Sequence, residues 1–294
     1  MVSKRDRIER IYIMTDLEGV AGVLNFDDWC QPGSPYYDLA KEFLTNEVNA
    51  AVDGFVQGGA KEIVVADGHG HGAINPDLLD PRADLMRGWS RGYPFGLDET
   101  WDAAAWIGQH AKSRTEFAHI AHTGSMAVLD MSVNGVSVGE FGGLAMCASQ
   151  LGIRVILAAG DLAFTKEAEA LTPGVETVAV KRGTSPGRGD DLDAEAYRKK
   201  NAPAIHKQPK RACEMIREGA VRAMARARQE DFGIIPLKPP YKRVAVFRQT
   251  ADQPRTYAIE THPNDVIALK AMPYKRQPVE DEKQLKELLG DLDG

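Results

Sequence analysis

The sequence predicts an α/β fold: a largely parallel central sheet flanked by helices, with a smaller C-terminal α+β segment. Three observations carry this reading. Residues 11–67 run strand, helix, strand, which is a βαβ unit. The same alternation of short apolar runs and helical periodicity continues through "AAAWIG", "IRVILAAGD" and the stretches after them. Beyond the proline-rich "IIPLKPPYK" the pattern changes to shorter mixed elements.

Taken in order, "IYIMT" reads as a strand that ends in Asp16, Glu18 and Gly19. A loop, "NFDDWCQPG", follows, and Ser34 and Pro35 are then expected as N-cap and first helical residue. Leu39, Phe43, Leu44, Val48, Ala51, Val52 and Phe55 recur at helical spacing, and Gly58 and Gly59 stop that helix. "EIVVAD" (62–67) reads as a buried strand, and "AAAWIG" (103–108) as another running into Gln109 and His110. "MAVLDMSVNGVSVGE" suggests a hairpin around Asn134-Gly135. A helix is expected from about Gly143 to Gln150, then the strand "IRVILAAGD", then a helix from Leu162. Residues 183–208 are polar and read as an exposed insertion or lid. Pro209 opens a long amphipathic helix to about Gln229. This divides the chain into a catalytic α/β domain (1–234) and a smaller α+β segment (235–294), with no internal repeat.

Composition narrows the partners. With 43% hydrophobic and 27% charged residues the chain is of ordinary globular type. A formal net charge of -6 leaves no basic excess to neutralise phosphates, so no nucleic-acid partner is expected. No run of eighteen apolar residues occurs, and "MVSKRDRIERIYIM" is too polar for a signal peptide. The expectation is a cytoplasmic protein with no membrane partner. Cys30, Cys147 and Cys213 form no C-x-x-C pair and read as buried structural thiols. Any metal here must take oxygen and nitrogen ligands.

Such ligands gather at the ends of the strands. Asp16 and Glu18 lie two apart, and if the first strand lasts that far they share one side, about 6.6 Å apart at Cα. Open α/β sheets place ligand sites outside that edge. The acids then need a cation between them; the alternative is an exposed turn with helix-capping acids. "VVADGHGHG" sets Asp67, His69 and His71 among glycines, either as a site or as a flexible surface loop. A dinucleotide fingerprint does not fit, because no helix follows at the proper spacing. Five of the seven histidines, His69, His71, His110, His119 and His122, fall between positions 69 and 122. Glu140 is a further candidate, or else a helix-terminal acid favoured by the dipole. Carboxylates with imidazoles suit zinc or another divalent first-row metal, and a bridging carboxylate would suit two ions about 3.5–4 Å apart.

In this order, "DLEG", "DGH", "GQHA", "AHTGSM" and "NGVSVGE" resemble the DppA-type D-aminopeptidase family of zinc metallopeptidases. The similarity extends over "VAVKRG" and "QPKRA" toward the C-terminal segment. The resemblance implies that Asp16, Glu18, His69, His110 and Glu140 hold two zinc ions per subunit, with Asp16 bridging, and that His122 is the catalytic histidine. It also implies a short peptide substrate with a D-amino-acid N-terminus and a homo-oligomer, a decameric ring. His71 and His119 have no counterpart and read as loop or supporting groups. Met14 replaces the usual serine, Ala121 and Thr123 flank His122 in place of serines, and 183–208 is longer than usual. These departures bear on substrate preference. Two other readings remain open: a metal-dependent amidase or esterase acting on another bond, and a non-catalytic metal- or small-molecule-binding module. About two ions per chain would favour a hydrolase.

Overall fold

The computed structural model describes residues 8–89 and 92–291. The chain opens with β1 (Arg10–Thr15), a short α1 (Phe26–Trp29), the long α2 (Tyr37–Gln57), β2 (Glu62–Asp67), β3 (Asp84–Met86) and β4 (Ala103–Gln109). A hairpin of β5 (Val128–Val133) and β6 (Val136–Ser137) leads to α3 (Glu140–Gln150), β7 (Arg154–Asp161), α4 (Leu162–Leu171) and β8 (Glu176–Gly183). Next come α5 (Ala194–Lys200), β9 (Ala204–His206) and α6 (Pro209–Ala227). The C-terminal part holds β10 (Tyr241–Phe247), β11 (Thr256–His262), α7 (Val266–Ala271), β12 (Gln277–Pro278) and α8 (Glu282–Leu289).

Seven strands form one sheet in the order β3-β2-β1-β4-β7-β8-β9, parallel except for β9. The two faces of β1 separate the core by its period of two. Ile11 and Ile13 join α2 and α6 on one side, while Tyr12 and Met14 join α3, α7 and the second sheet on the other. On α6 the spacing of Ala212, Ile216, Ala220, Ala223 and Ala227 presents one narrow apolar face, and small residues let α2 approach closely. Burial of each valine, leucine or isoleucine in these layers contributes about 1.5–3 kcal/mol.

The second sheet is antiparallel, in the order β12-β11-β10-β5-β6. Its strands come from both sides of residue 234: β5 pairs with β10 from Val133↔Arg243 to Asp130↔Val246. An isolated two-stranded hairpin is marginal in water, so the 128–137 hairpin gains its stability from β10.

Two helix starts differ from the sequence expectation. α2 begins at Tyr37 rather than after Ser34, because residues 31–36 are spent in turns and the Tyr36 N–H donates to Asp28 O at 3.0 Å. α3 begins at Glu140, before the expected Gly143, and Gly142 and Gly143 lie inside it because Cβ atoms there would collide with Leu171, Val138 and Lys270. Among the described residues, no helix is long and apolar enough to cross a membrane.

From β1 the chain moves to β2 and β3 on one side, then returns to β4 on the other. Connections leaving β1 and β4 therefore diverge and open a crevice at the strands' C-terminal ends.

Candidate metal centre

Asp16 and Glu18 meet at that crevice, but not by strand alternation. β1 ends at Thr15, and residues 16–20 form a tight turn in which Asp16 N–H donates to Ile107 O at 3.0 Å and Gly19 N–H to Gly108 O at 2.7 Å. Gly19 is required here, since a Cβ would sit 2.1 Å from Gln109 O. The turn buries both carboxylates, which are 5% and 2% exposed.

His69 follows β2 and faces them. Its Nδ1 lies 3.3 Å from Asp16 Oδ1 and 3.2 Å from Glu18 Oε2. Its Nε2 lies 3.0 Å from Cys30 O. A carbonyl only accepts, so Nε2 carries the proton and Nδ1 of the neutral ring turns a lone pair toward the acids. Asp67 is not part of this set: its carboxylate accepts from Ala73 N–H at 2.9 Å and closes the loop. Arg87 holds the same loop by donating to the carbonyls of Asp67, His69 and Gly70. His71 is exposed on the cavity rim.

At the end of β4 the register with β7 shifts between Ile107 and Gln109, and Gly108 has φ 76°. Such a bulge re-aims side chains, so two consecutive residues both reach Asp16. Gln109 Nε2 donates to Asp16 Oδ2 at 2.8 Å, and His110 Nε2 lies 3.2 Å from the same oxygen. His110 Nδ1 donates to Ala111 O at 2.9 Å, which again leaves Nε2 as a lone pair. That atom is buried and out of line for any hydrogen bond. Glu140 Oε1, at the first turn of α3, lies 3.5 Å from His110 Nε2 and accepts from Gly124 N–H at 2.7 Å.

His122 stacks on His110 with ring centroids 3.9 Å apart and planes 15° apart. Its Nδ1 donates to Ile120 O at 2.9 Å, and its Nε2 lies 3.7 Å from Glu140 Oε1. Ile120 has φ 51°, a strained conformation for a β-branched residue, and its N–H bond to Asn201 O at 3.0 Å helps to hold the turn that precedes His122.

The geometry therefore brings together the six residues that the resemblance implied, as two groups. Asp16, Glu18 and His69 can offer ligand atoms within 4.8 Å of one another, and so can His110, His122 and Glu140. Asp16 turns Oδ1 to the first group and Oδ2 to the second. Lone pairs on neutral imidazoles then face lone pairs on carboxylates, an arrangement that needs a cation or a proton at its centre. In the absence of an ion, protons take that place. Burial pushes His69 down, but Glu18 and Asp16 beside it hold it up to about 12. His110 is raised well above its ordinary value, because Glu140 and Asp16 outweigh burial. Burial pushes Asp16 up, yet His110 and His69 hold it well below the usual carboxylate range. These donors fit divalent ions bound through oxygen and nitrogen.

Beneath the site, four side chains from separate places hold four consecutive backbone groups of the loop after Glu18. Ala21 N–H donates to Glu47 Oε1 at 2.9 Å, and Gly22 N–H to His206 Nδ1 at 3.1 Å. Lys181 Nζ donates to Val23 O at 3.4 Å, and His119 Nε2 to Leu24 O at 3.1 Å. His119 thus serves as a loop support, held neutral by burial, which pushes it down to about 2. The segment 183–208 is a wall rather than a free insertion. Its Tyr197 and Asn201 are buried, Ile120 N–H donates to Asn201 O at 3.0 Å, and Arg198 pairs with Asp27 at 2.6 Å. Cys30 and Cys147 are buried and Cys213 is partly so, all as free thiols.

Over the centre lies a cavity of about 880 Å³, with His122 on its wall and an apolar lining that includes Met14, Phe26, Trp106 and Met126. His119 was read from the sequence as a loop or supporting group and serves as one; Gln109, Arg87, Glu47, Lys181 and His206 were not identified from the sequence. Only Gln109 carried a signal, its place beside His110 in "GQHA".

A known sequence and a solved structure are similar to this chain. A D-aminopeptidase of Bacillus subtilis (strain 168) is 31% identical over 179 residues, covering 60% of this chain and 65% of the relative's length. The solved structure of the Zn-dependent D-aminopeptidase DppA from Bacillus subtilis, described as a self-compartmentalizing protease, has the same fold. It superposes with a TM-score of 0.76 at 23% identity, covering 89% of this chain and 94% of that one. The family described as D-aminopeptidase, peptidase family M55, matches residues 10–262, and the chain belongs to it.

Proposed function

We propose that the chain is a two-zinc aminopeptidase that removes the N-terminal residue, of D configuration, from short peptides. The observation that carries this reading is the bifacial Asp16 between two ligand groups whose imidazole lone pairs all point inward. Glu18 and His69 would hold one ion, His110 and Glu140 the other, and Asp16 both. Bound there, the ions supply Lewis-acid activation of water and of the scissile carbonyl.

The chain's own groups supply the rest. Cys30 O, Ala111 O and Ile120 O fix the three ring tautomers, so that every inward nitrogen is a base. His110 is shut away from the cavity, whereas His122 lines it. His122 Nε2 is therefore placed to move a proton between the reacting atoms and the departing amine, a role worth about 10²–10⁴ in rate. The apolar lining accepts a side chain of the substrate. The relative's description as self-compartmentalizing supports a homo-oligomer for this chain, and the decameric ring is what the family resemblance implies for it.

The test is a panel of D- and L-aminoacyl p-nitroanilides and dipeptides, assayed with zinc-loaded protein beside metal analysis. About two zinc ions per chain and turnover of D-configured substrates are expected. Stoichiometric zinc with no turnover of any peptide, ester or amide would reduce the chain to a binding module.

A further inference from the structure

Lys270, on α7, is 6% exposed and lies on the wall of the cavity above the metal centre. Its Nζ lies 3.3 Å from the thioether of Met131 and 4.6 Å from the ring centroid of Tyr93. Among the described residues, no carboxylate lies within ion-pair distance of it. The neighbouring charges are already satisfied: Arg243 pairs with Glu260 at 3.0 Å, and Arg198, also on the wall, pairs with Asp27. An ammonium has three protons to donate, and a sulfur and a ring face are weak acceptors for them. A buried charge left in this condition calls for an anion, and the described residues offer none. Burial pulls Lys270 down to about 8, so it is still charged at neutral pH.

Its position is fixed by α3. A Cβ on Gly143 would lie 2.8 Å from Lys270 Nζ and 2.9 Å from Tyr93 Oη, so the ammonium and the hydroxyl converge on that glycine. Gly143 stands three residues after Glu140 on the same helix, about 4.5 Å along its axis. One extended peptide residue spans about 3.3–3.6 Å. A peptide cut at the metal centre would therefore carry its terminal carboxylate to Lys270 after one or two further residues.

Resting on the aminopeptidase reading, we propose that Lys270, with the Tyr93 hydroxyl beside it, receives the free C-terminal carboxylate of a short peptide substrate. The absence of a side chain at Gly143 keeps the place open.

The experiment compares D-alanyl-glycine with its C-terminal amide, on the zinc-loaded protein and on Lys270→Met and Lys270→Arg. The wild type should favour the acid, and Lys270→Met should lose about 10–100-fold more on the acid than on the amide, as expected for one charge-assisted hydrogen bond. Lys270→Arg should retain part of the preference. Thermal unfolding checks that Lys270→Met is folded, and its midpoint should not fall, since an unpaired buried charge is removed. Calorimetry of both peptides on zinc-loaded His122→Ala reads the same preference without turnover. Equal affinity for acid and amide, or equal losses on both, overturns the role of Lys270 while leaving the aminopeptidase intact. A preference in binding with no turnover in the wild type would keep the carboxylate site and remove the peptidase.

Discussion

Asp16 has each oxygen held by one protein donor, Leu17 N–H on Oδ1 at 2.9 Å and Gln109 Nε2 on Oδ2 at 2.8 Å. One lone pair per oxygen remains, and each faces a different histidine. Asp16→Ala should therefore strip nearly all zinc from the protein and abolish turnover, and retention of two ions by metal analysis would refute bridging. Gln109→Leu frees one oxygen from its orienting donor and should weaken zinc binding about 10–100-fold, measured by chelator competition. His122→Ala is expected to keep its zinc and lose about 10²–10⁴ in kcat. Zinc lost in proportion to activity would make His122 a ligand, consistent with its 3.7 Å approach to Glu140. Acids and imidazoles crowding the strand ends made these six positions candidates in the sequence, but their division into five ligands and one catalytic histidine came only from the family resemblance. Gln109 and the carbonyl of Cys30 were not legible, because a second layer of partners is chosen by long-range packing and leaves no local pattern.

At the level of elements, the sequence showed strands and helices where periodicity was strong and misplaced them where tertiary contacts decide. Ser34-Pro35 has the composition of a helix start, yet the tie from Tyr36 to Asp28 delays α2 to Tyr37. The polar composition of 183–208 suggested an exposed insertion or a lid, since a buried tyrosine and asparagine cannot be distinguished by composition from exposed ones. Folded, the segment buttresses Ile120 from one side and lines the cavity through Ala194, Glu195 and Arg198 on the other. Replacing both Glu195 and Arg198 by alanine should change KM and the ranking of substrates while zinc content stays at the wild-type value. Unchanged kinetics across the panel would make α5 a bystander.

For the whole molecule, strand order decides the chemistry: β1, β2 and β4 are neighbours, so residues far apart in sequence emerge at one switch point. The cost is a buried cluster of like charges that must be neutralised, and the competition between protons and zinc gives this a pH signature. Without metal, His69 is held up to about 12 and His110 is raised, so their favourable contribution is complete below the ordinary imidazole value of about 6.5 and is lost only as pH climbs through the raised values. Asp16, held low, contributes above the ordinary carboxylate value and loses its contribution as pH falls toward its lowered one. The metal-free protein is thus supported by protonated imidazoles across the neutral range. Zinc can enter only by displacing those protons, so its binding should release protons and tighten as pH rises. Zinc present at 100 times its Kd adds about 2.7 kcal/mol to the folded state. The gap in unfolding midpoint between zinc-loaded and chelator-treated protein should then widen from pH 6 to pH 8. Calorimetric titrations in buffers of different ionisation enthalpy should show protons leaving as zinc binds. A gap independent of pH, with no proton release, would mean that His69 and His110 are already neutral before the metal arrives, and that the carboxylates alone govern the site.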